Sequence, residues 1–345
     1  MSSPAPELDQ DTIHRAAESL LKGELVAFPT ETVYGLGADA ENEAAVRAIY
    51  EAKGRPANHP VIVHVAPGAD LYYWAAYIPA EAWRLIERFW PGPLTLILPR
   101  ASHIPNQVSG GQDSIGLRCP SHPVAQALLT EFARLKGGHG GVAAPSANRF
   151  GRISPTQAAH VRAEFQELAD GPLTVLDGGS AQVGIESTIV DLSRRTDQGQ
   201  TLITVLRPGH ITLAQIEEAL GTSLSTPAQP RADAPRVSGS LKAHYAPTTP
   251  LYLVDAEQLE VLQRQEADKR IAILAFGEAP AELGAYTAWL RLSDDPVQYA
   301  HQLYAMLRDA DQQGFDALYI QRPPADARWE AVSDRICRAA AAFES

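Results

Sequence analysis

Lys53 and Arg55 flank a single glycine in the run Lys53-Gly54-Arg55-Pro56, and His59-Pro60 and His64 follow closely. Two cations one residue apart, in a Pro/Gly-bounded loop after a helix, can clamp a polyphosphate: Arg offers a planar fork and Lys a point charge. The same pair can instead complement the dipole of a helix C-terminus. A second cluster is Ala144-Pro145-Ser146-Ala147-Asn148, then Gly151-Arg152-Ile153-Ser154-Pro155-Thr156. Its Ser and Asn donors suit phosphate or ribose oxygens, or an Asx or Ser turn that caps the next helix. Ser154-Pro155 reads as an N-cap followed by Pro at the first helical position. In a third cluster, Arg118 ends the run Ser114-Ile115-Gly116-Leu117-Arg118 and needs a carboxylate, either from a ligand or from an internal Asp or Glu. A fourth, Pro29-Thr30-Glu31-Thr32-Val33-Tyr34-Gly35-Leu36-Gly37, sets two hydroxyls and a carboxylate behind a strand, where glycines let a ligand approach the backbone.

The elements that must position these clusters follow from periodicity and breakers. Residues 11–22, 42–52, 80–90 and 123–135 read as helices, and 25–28, 61–65, 94–98, 114–118 and 142–144 as short strands. Further strands are expected at 173–176, 188–192 and 202–206. The mixture is α/β or α+β, and several polar clusters fall just past strand ends, where ligands bind in open sheets. Residues 222–235 are rich in Pro, Ala, Ser and Thr without periodicity and read as a linker. Behind it, strands at 251–254, 271–276, 287–292 and 317–321 alternate with helices at 256–266, 297–313 and 327–343, which implies a small parallel-sheet domain. The expected division is 1–221 for the site-bearing domain, 222–249 for the linker and 250–345 for the small domain.

Composition narrows the classes. The 345 residues fit about two domains of roughly 150 residues. Hydrophobic residues at 45% and charged residues at 20% suit a soluble globular chain, and no apolar run reaches the roughly 20 residues of a membrane helix. Met1 to Gln10 is polar, without a basic or an apolar leader segment, so no signal peptide is read and a cytoplasmic location is expected. Two distant cysteines, Cys119 and Cys337, imply neither a disulfide framework nor a zinc site and are expected to be buried or half-buried thiols. A formal net charge of −12 argues against a protein that grips nucleic acid through many phosphates, and fits a locally basic pocket for small anions. No GxxxxGK[ST], strand-anchored GxGxxG, GxSxG or HExxH occurs, so any nucleotide is held by another cradle.

The ordered succession PTETVYGLG, KGRP with HPVIVHV, WPGPLTLIL, SIGLRCPSHP, APSANRFGRISPT, GIESTIVDL and LRPG resembles the YrdC-type threonylcarbamoyl-AMP synthase family over about residues 10–220. The segment Ser238-Gly239-Ser240-Leu241-Lys242-Ala243-His244-Tyr245-Ala246-Pro247, with the α/β pattern behind it, resembles the long, two-domain branch. Here Ser-Gly-Ser-Leu stands where other members read Pro-Gly-Met. The resemblance implies a twisted mixed open-sheet catalytic domain and a small Rossmann-like domain. It implies synthesis of L-threonylcarbamoyl-AMP from L-threonine, bicarbonate and ATP, with pyrophosphate leaving and Mg²⁺ accompanying ATP. The product would pass to a tRNA threonylcarbamoyl transferase complex that modifies adenine beside the anticodon.

By resemblance, Lys53 and Arg55 are the catalytic cations and hold the triphosphate, with His59 beside them where the family often has Asn. Ser114, Ser146, Asn148, Ser154 and Arg207 serve the nucleotide, and His244 touches ATP from the linker, which would act as a lid. Threonine would meet Arg118 through its carboxylate, and Thr32, His64, the backbone at Ala144 and Ser187 through its other groups. No carboxylate cluster marks a Mg²⁺ site, with Glu31 and Glu186 the nearest candidates. Two other readings share the fold: a carbamoyl-transfer enzyme, whose zinc-finger and acylphosphatase-like parts find no match here, and a double-stranded RNA-binding module, against which the net charge speaks.

Overall fold

A computed structural model describes residues 9–169, 173–224 and 234–344, so part of the expected linker, 225–233, lies outside the described residues. The chain forms two compact units, Met1–Phe150 with Pro155–Ser240, and Gly151–Ser154 with Leu241–Ser345. Among the described residues no helix is long and apolar enough to cross a membrane.

The first unit is built on strands β1 (Val26–Phe28), β2 (Gly35–Asp39), β3 (Ile62–Val65), β4 (Leu94–Pro99), β5 (Ser114–Arg118), β6 (Gly141–Ala143), β7 (Thr174–Val175), β8 (Thr188–Arg195) and β9 (Thr201–Arg207). They form one sheet in the order β7-β1-β2-β6-β3-β5-β4-β8-β9. Pairing is mixed: β3/β5 and β4/β8 are parallel, whereas β1/β2, β3/β6 and β4/β5 are antiparallel. The helices are α1 (Gln10–Leu21), α2 (Glu43–Lys53), α3 (Ala80–Phe89), α4 (Pro123–Leu135), α5 (Ala158–Glu164), α6 (Gln166–Ala169) and α7 (Leu213–Leu220). Their ends follow local chemistry. Asp9 caps α1 by accepting from the Thr12 amide at 2.6 Å, and Asn42 caps α2. Helix α2 stops at Gly54, whose φ of 62° is the left-handed conformation that glycine adopts without penalty.

Successive residues of a strand face opposite sides of the sheet. Leu36, Ala38, Val63, Leu96, Leu117, Ala143 and Val190 point to one side and build the main core. On the other side, α1 and α4 bury Leu20, Leu128 and Phe132 against Val26, Phe28 and Val142, over one end of the sheet only.

The second unit carries β10 (Leu251–Val254), β11 (Ile271–Phe276), β12 (Thr287–Leu292) and β13 (Ala317–Gln321) in an all-parallel sheet of order β10-β13-β11-β12. Its helices are α8 (Leu259–Gln265), α9 (Pro296–Asp311) and α10 (Glu330–Ala340). Segment Gly151–Ser154 is bonded into this unit: Arg152 bridges Ala246, the Gly151 carbonyl accepts from the Ala246 amide at 2.9 Å, and Arg308 donates to the carbonyls of Ile153 and Ser154.

The expected mixed sheet and separate parallel sheet are both present. Four local readings differ. The glycine-rich run after β1 contains strand β2, because Gly35 and Gly37 sit where a Cβ would strike Phe28 or Ala144. Ser154 does not cap a helix: α5 starts at Ala158 behind Gln157, and the Pro155 carbonyl is taken by the Tyr34 amide at 2.8 Å. The helices expected at 256–266 and 327–343 each open with a turn of 3₁₀ helix, Ala256–Gln258 and Ala327–Trp329. Both cysteines are free, and Cys337 is exposed rather than buried.

Candidate functional site

Strand register places the polar residues of the first unit in a row. Asp39 pairs with Val142, Val142 with His64, and His64 with Arg118. Leu96 pairs with Leu117, which sets Thr95 beside Arg118; Thr95 then pairs with Ile189, and Ile189 with Arg207. Neighbouring strands lie about 4.8 Å apart, so His64, Arg118, Thr95 and Arg207 run across the middle of one face. Parallel to it, Ile62 pairs with Gly116 and Gly116 with Ile97, so the second row is apolar with a glycine at its centre. A Cβ at Gly116 would come within 3.2 Å of Ile97.

The phosphate-type cluster gathers at one end of this face. Lys53, the last residue of α2, is 2% exposed, and its ammonium donates to the Ser146 carbonyl at 2.5 Å and to the Asn148 carbonyl. Burial, then the charge of Arg55, pulls its pKa well below the ordinary lysine range. Arg55 donates to the Pro60 carbonyl at 2.6 Å and to the Ser238 hydroxyl at 3.1 Å, and its guanidinium lies 5.7 Å from the centre of the Phe150 ring. His59 meets Phe150 edge-on at 5.3 Å, and burial followed by Arg55 lowers its pKa. Ser146 bridges Gly35, and Leu36 donates to the Pro145 carbonyl at 2.8 Å, so β2 holds the Ser146–Asn148 turn in place. Ser114, at the start of β5, lines the same pocket as Gln112, Val237 and Ser238.

The carboxylate-type cluster lies along the polar row. Arg118 is buried and donates to Glu31 Oε1 at 2.7 Å and to the Gly92 carbonyl at 3.3 Å, while Glu31 Oε2 accepts from the Ser121 amide at 3.0 Å. Of the two partners open to Arg118 from sequence, the internal carboxylate is the one present. His64 is 3% exposed, edge-on to Phe28 at 6.0 Å, and its Nδ1 has no hydrogen-bond partner among the described residues. Burial, reinforced by Arg118, pushes its pKa down to about 3, so the imidazole is neutral at physiological pH. Thr32 is buried, with its hydroxyl 2.8 Å from that of Thr30. The Ala144 amide is taken by the Ile62 carbonyl at 2.9 Å.

Ser187 and Arg207 join the two clusters. The Ser187 hydroxyl is 2.7 Å from that of Thr95 and accepts from Arg207 at 3.0 Å; Arg207 also donates to the carbonyls of Ser187 at 2.9 Å and Ser238 at 3.0 Å. Of the residues read from sequence, Ser154 and His244 belong to the second unit. There Ser154 is fully buried, and His244 is buried edge-on to Tyr245 at 4.2 Å, its amide donating to the Arg338 carbonyl at 3.1 Å. Sequence reasoning missed Thr95, Ser238 and the pairing role of Glu31. A lone threonine at an alternate position of the apolar strand Leu94–Pro99 was a signal for the first. Ser238 was legible only as the first residue of the Ser-Gly-Ser-Leu run.

No cluster of three or more His, Cys, Asp or Glu gathers as metal ligands among the described residues. Both Glu31 oxygens already accept a hydrogen bond, one from Arg118 and one from the Ser121 amide.

Comparison with known proteins identifies the family. A family model described as "Telomere recombination" matches residues 18–209, and one described as "Threonylcarbamoyl-AMP synthase, C-terminal domain" matches 211–341. The chain is 35% identical over 342 residues to the threonylcarbamoyl-AMP synthase of Pyrococcus abyssi (strain GE5 / Orsay), covering 96% of this chain and 95% of that one. To the enzyme of the same name from Bacillus subtilis (strain 168) it is 36% identical, covering 95% and 92%. A crystal structure of P. abyssi Sua5 complexed with L-threonine matches with a TM-score of 0.84 at 34% identity, covering 99% of this chain and 97% of that one. On fold, motif order and near full-length likeness, the chain belongs to the threonylcarbamoyl-AMP synthase family, in its two-domain form.

Proposed function

We propose that this enzyme condenses L-threonine, bicarbonate and ATP into L-threonylcarbamoyl-AMP and pyrophosphate. The observation that carries the reading is the junction at Arg207 and Ser187, which joins a buried cation cradle to a buried Arg–His row on one sheet face. The relative crystallised with L-threonine supports the choice of amino acid.

The threonine amine and bicarbonate give an N-carboxylate and water. An oxygen of that carboxylate attacks the α-phosphorus, and the α–β bridging oxygen leaves with pyrophosphate. Such a displacement depends on positioning and charge, and needs no protein nucleophile. Lys53 and Arg55 hold the triphosphate, with Ser114, Ser146, Asn148 and Arg207 placed for the nucleotide. A buried lysine already directed at two carbonyls is pre-organised, and an arriving anion draws it back to the charged form. Arg118 takes the threonine carboxylate while Glu31 fixes its guanidinium. His64, neutral and with Nδ1 unpartnered among the described residues, is suited to accept from a hydroxyl or amine of the substrate. Ser187 and Thr32 supply hydroxyls. Among the described residues no His, Cys, Asp or Glu cluster forms a magnesium site; Mg²⁺ is proposed to arrive on the phosphate oxygens of ATP, where it would shield the departing pyrophosphate. Downstream, the adenylate would pass to a transferase that modifies tRNA.

The test is mass spectrometry of a reaction fed ¹³C-bicarbonate. An adenylate that carries both the label and threonine is expected. ATP turnover without such a product excludes the reading.

A further inference from the structure

Residues 236–238 lie as a strap over the apolar row in the first unit, held by three kinds of attachment. The Gln112 amide bonds both backbone groups of Arg236: Nε2 donates to its carbonyl at 3.1 Å, and Oε1 accepts from its amide at 2.7 Å. This reciprocal pair imitates a neighbouring β-strand. Arg236 also donates to the Gly110 carbonyl at 3.1 Å. Val237 is buried in a cluster with Ile97 and Ile189. Ser238 closes the strap: its hydroxyl donates to the Pro60 carbonyl at 3.0 Å and accepts from Arg55 at 3.1 Å, while its carbonyl accepts from Arg207 at 3.0 Å. Two arginines from distant parts of the unit therefore meet on one strap residue.

We propose that the strap sets the phosphate clamp: Gln112 seats it, and Ser238 fixes the spacing and orientation of the Arg55 and Arg207 guanidinium groups. The inference rests on the ATP reading above and adds two positioning residues to it. A free arginine loses much rotamer entropy when it engages a ligand. One already held by a neutral hydroxyl or carbonyl has lost part of that freedom beforehand, and pre-organisation of this kind strengthens binding most when charge develops on the ligand. Neither Ser238 nor Gln112 carries charge, so the strap orients the two guanidinium groups without neutralising them.

The experiment uses the full chain with Ser238→Ala, Ser238→Thr and Gln112→Ala. It reads KM for ATP and kcat from pyrophosphate release, threonine affinity by calorimetry without nucleotide, and the melting temperature. The strap account expects KM for ATP to rise about five- to tenfold in Ser238→Ala and Gln112→Ala, with kcat lowered. Ser238→Thr, which keeps the hydroxyl, should stay within about twofold of wild type, and threonine affinity and melting should hardly move. An unchanged KM in both loss variants overturns the proposal. So does an equal loss of threonine affinity with a lowered melting temperature, which marks a merely structural role. A wild-type chain that releases no pyrophosphate overturns the ATP reading as well, since the strap then has no clamp to set.

Discussion

His64 is the side chain whose environment makes the sharpest claim at the level of single residues. It is sealed between Phe28 and Arg118, and its pKa falls to about 3 because burial and a neighbouring cation both oppose protonation. In the unfolded chain the same ring takes a proton below about pH 6.5. The unfolded state thus binds more protons than the fold between these values, and stability drops as pH falls through that window by up to about 1.4 kcal/mol per unit. Urea unfolding at pH 7 and pH 5 should give a smaller loss in His64→Asn than in wild type; equal losses would mean that the imidazole is not held neutral. The Glu31–Arg118 pair makes a different point. Both side chains are about 5% exposed, and a buried arginine tolerates burial only while a carboxylate and carbonyls surround it. On the proposed reading, a substrate carboxylate at Arg118 would add a second anion to a cation already paired with Glu31, and Arg118 would work as an oriented fork more than as a free charge.

At the level of elements, one face of the sheet carries the chemistry because the strands alternate. Every second residue of β3, β5 and β4 enters the main core, and the residues between them form the polar and apolar rows. Gly37 is needed for β2 to lie close to this arrangement. A Cβ there would be 2.8 Å from both Phe28 and Val142 and 3.0 Å from the Val26 carbonyl, and the last of these is backbone that cannot rotate away. Gly37→Ala should cost about 2 kcal/mol, read as a lower denaturation midpoint at unchanged slope; a wild-type midpoint would show that β2 can shift freely. The same features explain what was legible in sequence. Short strands such as Ser114–Arg118 and Ile271–Phe276 were legible as brief apolar stretches between breakers, and their ends are where they were expected. Strand β2 did not, because Gly-Leu-Gly-Ala-Asp carries little strand propensity and is held by tertiary fit. Lys53, Ser146 and Asn148 could be suspected from residue type, but their joining required the Gly35–Ser146 bridge, a contact over 111 positions (146 − 35) that no local pattern encodes. Ser154 misled for the converse reason: Ser-Pro is a good helix start, and a distant amide, that of Tyr34, claimed the next carbonyl.

At the scale of the whole molecule, a chain of net charge −12 concentrates Lys53, Arg55, Arg118 and Arg207 on one buried face. That distribution suits small anionic substrates better than a long polyanion. The small domain enters through chain connectivity. Residues Gly151–Ser154 lie between two stretches of the first unit yet find their hydrogen bonds at Ala246, Pro247 and Arg308. A chain cut after Ser240 removes the partners at Ala246, Pro247 and Arg308 and should melt about 5 °C lower, by calorimetry; an unaltered melt would show that the segment needs no such anchoring. The measurement that bears most directly on the proposed chemistry is pyrophosphate release from ATP with Mg²⁺ and bicarbonate, with and without L-threonine, for wild type and Lys53→Ala. The account predicts release that requires both threonine and bicarbonate and falls at least about a hundredfold in the variant, in line with the loss of a group that stabilises developing charge. Release that ignores threonine, or that survives the loss of Lys53, would contradict it.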